Sequence, residues 1–290
     1  MKISEILKNN QVTVSFEVFP PKQWDKIEQT KEVVRKMSKA EPSFMSVTYG
    51  AAGTRSGFTT EIANEIKDCG ITPLSHLTCL TSTKHKVDEV VNELSENGIE
   101  NILALRGDIP ESFVFPDKQY FRYAYELINE IKEIGDFCIG GACYPEVHPE
   151  SKNQKEDIER LKFKVECGAE FLTSQMFFDN EKFLDFREKC LAAGINVPII
   201  AGIMPITNAN QIKRSIELSN SSVPKKFFRI MERFGDDAKS MKQAGVVYAT
   251  EQIIDLMANG VNNIHIYTMN KPEVSEPIMR GLSDKLTSRL

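Results

Sequence analysis

Short apolar runs alternate with longer stretches of helical periodicity along most of the chain. The apolar runs are rich in β-branched residues, which is typical of strands. Several are apolar almost throughout, as expected of parallel strands that helices cover. The pattern predicts eight strands, at Val12–Val18, Phe44–Tyr49, Pro73–Leu80, Asn101–Arg106, Phe137–Tyr144, Phe171–Phe178, Val197–Met204 and Asn263–Thr268.

The stretches between these strands have the spacing of amphipathic helices, and six of them are followed by a glycine. The interval from Pro205 to Asn262 is long and is expected to hold two additional helices, Ala209–Leu218 and Pro224–Arg233. The other predicted helices are Lys26–Lys39, Thr60–Cys69, Lys84–Asn97, Tyr120–Ile134, Lys155–Cys167, Glu181–Ala193 and Asp237–Asn259.

Repeated strand–helix units imply a parallel sheet with right-handed crossovers. Eight such units fit an α/β fold of the closed (β/α)8 TIM barrel type, with the extra helices between strands 7 and 8. A doubly wound open sheet is the alternative. No linker or low-complexity tract marks a boundary, so residues 1–290 are predicted to form a single catalytic domain.

Composition and charge narrow the class of protein. The chain is 41% hydrophobic and 27% charged, an ordinary balance for a soluble protein, and its net charge of −5 argues against a nucleic-acid partner. The first residues do not resemble a signal peptide, and no apolar run is long enough for a membrane helix. The six cysteines form no CxxC pair, which favours reduced thiols. We therefore expect a cytoplasmic protein without a membrane partner.

The site of an α/β barrel forms at the carboxyl ends of its strands. Glu17 is the clearest candidate there, because it interrupts a strongly apolar strand. If Phe16 and Val18 face the helices, Glu17 faces the barrel interior. Burial would raise the pKa of its carboxyl group and suit it to general acid catalysis. The alternative is a structural ion pair between Glu17 and an interior Arg or Lys.

The end of the fourth strand carries the triplet from Arg106 to Asp108. Gly107 permits a sharp turn, and Arg106 can donate two hydrogen bonds to a phosphate. An Arg–Asp pair that closes the loop is the alternative. The next strand runs into the polar loop 144–150, where His148 lies beside two carboxylates, but no metal-ligand spacing accompanies it and we expect no metal.

The helix after that loop carries Arg160 and Lys164 four residues apart. A bound anion would relieve their repulsion, although Glu156 offers Arg160 a plain surface ion pair. Nucleotide motifs of the GxGxxG and GxxxxGK[ST] types are absent, and so is a GxSxG nucleophile motif. A dinucleotide cofactor would have to be bound by the barrel in another way.

Six segments together resemble the methylenetetrahydrofolate reductase family. They keep the family order over residues 12 to 271, which makes the resemblance specific. These segments are Ser15–Lys22, Ser46–Ala51, His76–Cys79, Asn101–Asp108, Tyr144–Pro149 and His265–Asn270.

The resemblance implies a (β/α)8 barrel that holds FAD, takes electrons from NADH or NADPH and reduces methylenetetrahydrofolate, as a homo-oligomer. Matching positions make Glu17 and Asp108 the catalytic residues and part of the substrate site, with Glu17 as the general acid and Asp108 near both flavin and folate. Gln175, Tyr267 and Lys271 would bind the folate substrate. The FAD-binding positions would be Thr48, His76, Arg106, Gly107, Asp108, Tyr123, Tyr144, His148, Asp157, Arg160 and Lys164.

Four positions depart from the family pattern. Phe163 stands where an arginine is common, Arg160 where a smaller polar residue is usual, Ala209 where an aromatic residue often lies, and Lys271 where arginine is common. Two alternatives from other functional classes stay open. One is a pterin-binding methyltransferase barrel without flavin, and the other is a reductase subunit that receives electrons from a partner protein.

Overall fold

The computed structural model describes residues 1–9, 11–49, 56–80, 82–107 and 120–286. Within these ranges eight parallel strands close into a barrel in which each strand pairs with the next in sequence and the last pairs with the first. The strands are β1 Thr13–Val18, β2 Phe44–Val47, β3 Pro73–Thr78, β4 Asn101–Leu105, β5 Cys138–Cys143, β6 Phe171–Ser174, β7 Ile199–Ile203 and β8 Asn263–Tyr267. The (β/α)8 prediction is therefore confirmed.

Helices surround the barrel, and three of them, α8 to α10, lie between β7 and β8 as predicted. The helices are α1 Ile3–Lys8, α2 Ile27–Ser38, α3 Ser56–Asp68, α4 Lys84–Glu96, α5 Ala124–Ile134, α6 Gln154–Glu166, α7 Asn180–Ala192, α8 Ala209–Ser219, α9 Lys225–Phe234, α10 Ala238–Ala258 and α11 Pro272–Leu286. The sequence pattern did not predict α1, α11 or the short 3-10 helix Trp24–Lys26. None of the helices that the structure describes is long and apolar enough to cross a membrane.

Glycines end most of the barrel helices in the way that the sequence predicts. Gly98, for example, follows α4 with a φ of +66°, a conformation that a side chain disfavours. Gly135 after α5 differs, because it is extended, with a φ of −170°.

Two apolar layers hold the barrel together. Outward-facing strand residues, such as Phe16 and Val18, pack against the helices in the main core. A second cluster fills the amino-terminal end of the barrel, where Ile3 and Leu7 of α1 pack on interior side chains. The strand residues of this second cluster are Phe44, Leu74, Leu103, Cys138, Phe171 and Ile200. The amino-terminal end is thus closed, and the polar side chains of the interior lie nearer the carboxyl ends.

Candidate functional site

Glu17 lies at the carboxyl end of β1 with its side chain in the barrel interior. It stands in register with Ser46 of β2 and Tyr267 of β8, and only 7% of its surface is exposed. Its backbone is held in place because Thr268 Oγ1 donates a 2.7 Å hydrogen bond to the Glu17 carbonyl. The alternation of β1 thus gives this carboxyl group the inward orientation expected from the sequence.

Burial raises the pKa of Glu17 from 4.5 to about 8. Among the described residues, no Arg or Lys lies within 4 Å of its carboxylate, and His76 Nε2 lies 3.8 Å from Oε2. The interior Arg or Lys considered as its structural partner is therefore not found in the described part of the chain. At neutral pH most Glu17 side chains carry a proton, which is the state that a general acid requires.

Glu17 belongs to a group of buried polar side chains that we call the interior polar cluster: Ser15, Glu17, Ser46, His76 and His265. The His265 ring lies between the two serines, with Nδ1 2.8 Å from Ser15 Oγ and Nε2 3.4 Å from Ser46 Oγ. Burial lowers the pKa of both His76 and His265 to about 3. Both imidazoles are consequently neutral at physiological pH.

Arg106 follows β4 and forms a two-pronged ion pair with Glu150, with both N–O distances 2.6 Å. The hydrogen bonds to Glu150 raise the pKa of Arg106 and lower that of Glu150. Gly107 takes a φ of +85°, and a Cβ there would lie 3.1 Å from the Cβ of Thr78. Asp108, predicted as catalytic and as a binding residue, lies outside the described residues, and so does the alternative Arg–Asp pair.

The loop after β5 is tied to the start of α6. The Tyr144 and His148 rings meet edge to face at 4.6 Å, and the His148 backbone N–H donates to Asp157 Oδ2 at 3.0 Å. Ser151 Oγ donates to the other Asp157 oxygen at 2.9 Å. Burial, followed by the charge of Arg106, lowers the pKa of His148. Asp157 therefore orders the loop in this structure rather than projecting freely towards a ligand.

Lys164 of α6 points back towards β5. Its Nζ donates to the Ala142 carbonyl at 2.7 Å, and burial lowers its pKa. Arg160 differs, because its side chain is more than half exposed and its guanidinium group pairs with Glu156 at 2.6 Å. That contact is the surface ion pair considered in the sequence analysis. Lys164 is thus the better placed of the two cations to meet an anion at the barrel.

A row of aromatic side chains crosses from α5 to α6. Tyr123 stacks on Tyr125 with ring centroids 5.6 Å apart, and Tyr125 meets Phe163 edge to face at 4.9 Å. Tyr123 and Phe163 are 38% and 48% exposed. Phe163, where the family pattern commonly has arginine, extends this aromatic surface, and Tyr125 was not singled out from the sequence because its contact with Phe163 spans two helices.

Three predicted substrate residues lie near the ends of β6 and β8. Gln175 follows β6, Tyr267 is the last residue of β8, and Lys271 comes after β8. Tyr267 donates from its hydroxyl to the Ser174 carbonyl at 2.7 Å, and burial raises its pKa well above 10. Gln175 Oε1 accepts from the backbone N–H of the next residue at 3.0 Å. Lys271 Nζ lies 3.3 Å from Thr207 Oγ1. All three side chains belong to the carboxyl-end rim of the barrel, but only Tyr267 is a direct neighbour of Glu17 in the sheet.

Two positions remain: Thr48, which is predicted to bind FAD, and Ala209, which departs from the family pattern. Thr48 follows β2, where its backbone N–H donates to the Val18 carbonyl at 3.0 Å and its own carbonyl accepts from Thr59 Oγ1 at 3.1 Å. Ala209 begins α8, and its methyl group lies beside Gly235. The rim also contains a contact that the sequence analysis did not identify, in which Glu146 accepts hydrogen bonds from the backbone and side chain of Ser222.

Comparisons with known proteins agree with this fold and show the family of the chain. The family model for methylenetetrahydrofolate reductase matches residues 2–283. The 5,10-methylenetetrahydrofolate reductase of Escherichia coli is 38% identical over 273 residues, which cover 94% of this chain and 91% of that protein. The enzyme named methylenetetrahydrofolate reductase (NADH) 1 from Arabidopsis thaliana is 34% identical, and the match covers 97% of this chain but 50% of the plant protein.

One solved structure supports the fold alone. An uncharacterized protein from Clostridium thermocellum that binds two copies of 5-methyl-5,6,7,8-tetrahydrofolic acid superposes with a TM-score of 0.68. The match covers 99% of each chain, at 15% sequence identity. Together with the family match and the curated relatives, the barrel establishes that this chain belongs to the methylenetetrahydrofolate reductase family of oxidoreductases.

Proposed function

We propose that this protein reduces 5,10-methylenetetrahydrofolate to 5-methyltetrahydrofolate through bound FAD, with NADH or NADPH as the electron donor. The product would supply methyl groups for methionine synthesis. The observation that carries the proposal is Glu17, a carboxyl group at the carboxyl end of a barrel strand that keeps its proton at neutral pH. A protonated carboxyl group is what opening of the folate five-membered ring requires.

Glu17 would act by giving its proton to the ring nitrogen that leaves the bridging methylene carbon. The carbon–nitrogen bond then breaks, an iminium forms at the other nitrogen, and hydride addition to the methylene carbon yields the methyl group. Glu17 is left as a carboxylate and must regain one proton before the next turnover. Its burial favours donation, because a buried carboxylate next to a neutral histidine is less stable than one in water.

The chain offers the groups that a flavin dinucleotide would need. When bound, FAD supplies the hydride carrier between nicotinamide and folate. Arg106 and Lys164 provide cationic donors for phosphate oxygens, and Gly107 permits close approach of the backbone because it has no side chain. The exposed aromatic row at Tyr123 and Phe163 offers a surface on which a purine ring can stack. These features support FAD binding outside a Rossmann fold.

The folate would lie beside Glu17 and Tyr267 at the rim. Tyr267 stays protonated at all physiological pH values and holds its ring in place through the Ser174 carbonyl. Gln175 and Lys271 are proposed to contact the pterin and the carboxylate tail, and Asp108 to tune both ligands. The cytoplasmic location, the homo-oligomeric state and the single-domain organisation stay predictions.

The test is the visible spectrum of the purified protein without oxygen, recorded before and after NADH and then after methylenetetrahydrofolate. We expect a flavin band that bleaches with NADH and returns with the folate. In Glu17→Gln the flavin band should still bleach with NADH but should not return with the folate. This result would separate the two half-reactions.

Two other spectra would redirect the proposal. A flavin that ignores both nicotinamides but is reduced by methyltetrahydrofolate would keep the folate chemistry and indicate a partner protein as electron donor. The absence of a flavin band even after incubation with FAD would refute the proposal and favour the methyltransferase barrel.

A further inference from the structure

The interior polar cluster contains a nitrogen whose role the proposed reaction leaves open. His76 Nε2 is buried and has no hydrogen-bond partner among the described residues. It lies 3.8 Å from Glu17 Oε2, and the two side chains are 6% and 9% exposed. A buried polar atom without a partner is costly, so its retention beside a protonated carboxyl group indicates an interaction between the two.

We propose that His76 is a positioning residue for Glu17, accepting at Nε2 the hydrogen bond that the protonated Glu17 carboxyl group donates. The two side chains would then hold one proton between them. This inference rests on the proposed function, because the reaction gives that proton its use. It adds a role for His76 that is separate from contact with a flavin.

The proposed bond calls for a side-chain movement of about 1 Å from the observed separation of 3.8 Å. The terminal torsion of glutamate is broad, so rotation of the Glu17 carboxyl group is the movement that we propose. The β1 backbone is held on both sides by its pairing with β2 and β8. The proposed movement is therefore confined to the side chain and leaves the strands in register.

His265 helps to keep His76 in the neutral state, in which His76 can accept a hydrogen bond. Its two ring nitrogens contact the hydroxyl groups of Ser15 and Ser46, which fixes the ring, and burial keeps the ring neutral by lowering its pKa. Its proximity to His76 opposes a positive charge on either ring. A neutral imidazole has one nitrogen with a free lone pair, and the proposal assigns that lone pair to Nε2 of His76.

The other groups that face Glu17 do not compete for this role. Strand β2 contributes the hydroxyl group of Ser46, which stands in register with Glu17 and does not titrate. Strand β8 contributes His265, held by its serines, and Tyr267, whose hydroxyl donates to the Ser174 carbonyl. His76 on β3 is the only described basic side chain within 4 Å of the Glu17 carboxylate. The proton of Glu17 therefore has one clear acceptor in the described part of the site.

Nitrogen-15 NMR of the imidazole rings tests the inference directly. The chain has four histidines, so labelling histidine in the holoenzyme gives a simple spectrum, which His76→Gln assigns by the loss of one ring. We expect His76 to be the neutral tautomer with an unprotonated Nε2. Its Nε2 resonance should shift with a midpoint near pH 8, when Glu17 loses its proton, and Glu17→Gln should abolish that transition.

The matched control for the NMR titration is His85, an exposed ring that pairs with Glu89 on α4. Its resonances should not change in Glu17→Gln. A His76 ring protonated at Nε2, or a His76 resonance that stays constant through the titration of Glu17, would overturn the proposal. So would a transition that persists unchanged in Glu17→Gln.

A kinetic comparison separates positioning from general structural damage. The amide of His76→Gln reaches the place of Nε2, whereas that of His76→Asn is too short. We expect His76→Asn to slow folate-dependent flavin reoxidation about three- to tenfold relative to His76→Gln, with its pH profile moved to lower pH. Equal rates and equal pH profiles in the two variants would contradict the role.

The outcomes also distinguish this inference from the proposed function. If the coupled titration is present in a protein that does not reduce methylenetetrahydrofolate, the Glu17–His76 pair stands and the proposed function is wrong. If the protein reduces the folate but His76 does not titrate with Glu17, the function stands and the pair is wrong.

Discussion

Glu17→Gln is predicted to change how the stability of the protein depends on pH. The pKa of this carboxyl group is about 8 in the folded chain, against an ordinary value of 4.5 once unfolding exposes it to water. Between these values the folded chain holds a proton that the unfolded chain has released. Raising the pH therefore favours unfolding of the wild type, whereas glutamine has no proton to lose.

The size of this effect follows from the two pKa values. Each pKa unit corresponds to about 1.36 kcal/mol of free energy. Relative to pH 4, the contribution of Glu17 to the free energy of unfolding should fall by about 3 kcal/mol at pH 7 and by as much as about 5 kcal/mol at pH 9. The stabilising contribution is complete below pH 4.5, falls progressively as the pH rises from 4.5, and is fully lost once the pH has passed through 8.

Urea unfolding at about pH 5, 7 and 9 measures the effect, with the wild type and Glu17→Gln compared at each pH. Other titrating groups cancel in the difference between the two proteins. Glu96→Gln, at an exposed position at the end of α4, is the control and should follow the wild type. If the difference between wild type and Glu17→Gln changes by less than about 1 kcal/mol over this range, the buried, protonated state of Glu17 is refuted.

Three further substitutions test the groups proposed to hold the cofactor. Arg106→Lys keeps the charge but loses the planar fork, so FAD affinity measured by flavin fluorescence should fall about tenfold, and an unchanged affinity would contradict a phosphate contact. Gly107→Ala places a Cβ 3.1 Å from the Cβ of Thr78 at a φ of +85°, so the free energy of unfolding measured in urea should fall by about 1–2 kcal/mol. An unfolding midpoint equal to that of the wild type would show that the turn tolerates a side chain. Lys164→Met should weaken FAD binding about tenfold while the free energy of unfolding stays within about 1 kcal/mol, and equal FAD affinity would remove Lys164 from the site.

The barrel itself could be predicted because each strand carries its own apolar run and most helices end at a glycine. The prediction overextended the strands at their carboxyl ends. Phe177 and Phe178 continue the apolar run of β6, but they leave the sheet and pack on Phe183 and Phe227. Apolar character reports burial, and burial at the rim comes from loop packing as well as from the sheet.

Helices α1 and α11 were not predicted from the sequence, and each has a physical reason for this. Helix α1 has six residues, too few to show a period, and is stabilised by packing Ile3 and Leu7 into the end of the barrel. Helix α11 contains Pro277, which disrupts the usual helical pattern. Both helices depend on tertiary contacts more than on local preference.

The positions of several candidate residues at the carboxyl ends of the strands could be predicted, but their partners could not. Glu17 was recognisable because a carboxylate in an apolar strand is unusual. The ion pair of Arg106 with Glu150 joins residues 44 positions apart, and the contact of His265 with Ser15 joins residues 250 apart. Such pairings form only when the barrel closes, so local sequence patterns do not predict them.

Because α1 and its apolar neighbours close the amino-terminal end of the barrel, the described part of the chain leaves Glu17 open to approach only from the carboxyl-end rim. A molecule that reaches Glu17 from the carboxyl-end rim has to leave by the same opening. Two reactants that both need this position must then take turns, and a product that lingers delays the next arrival. Where reactants and products share one opening, product release is expected to limit turnover as much as the chemical step does.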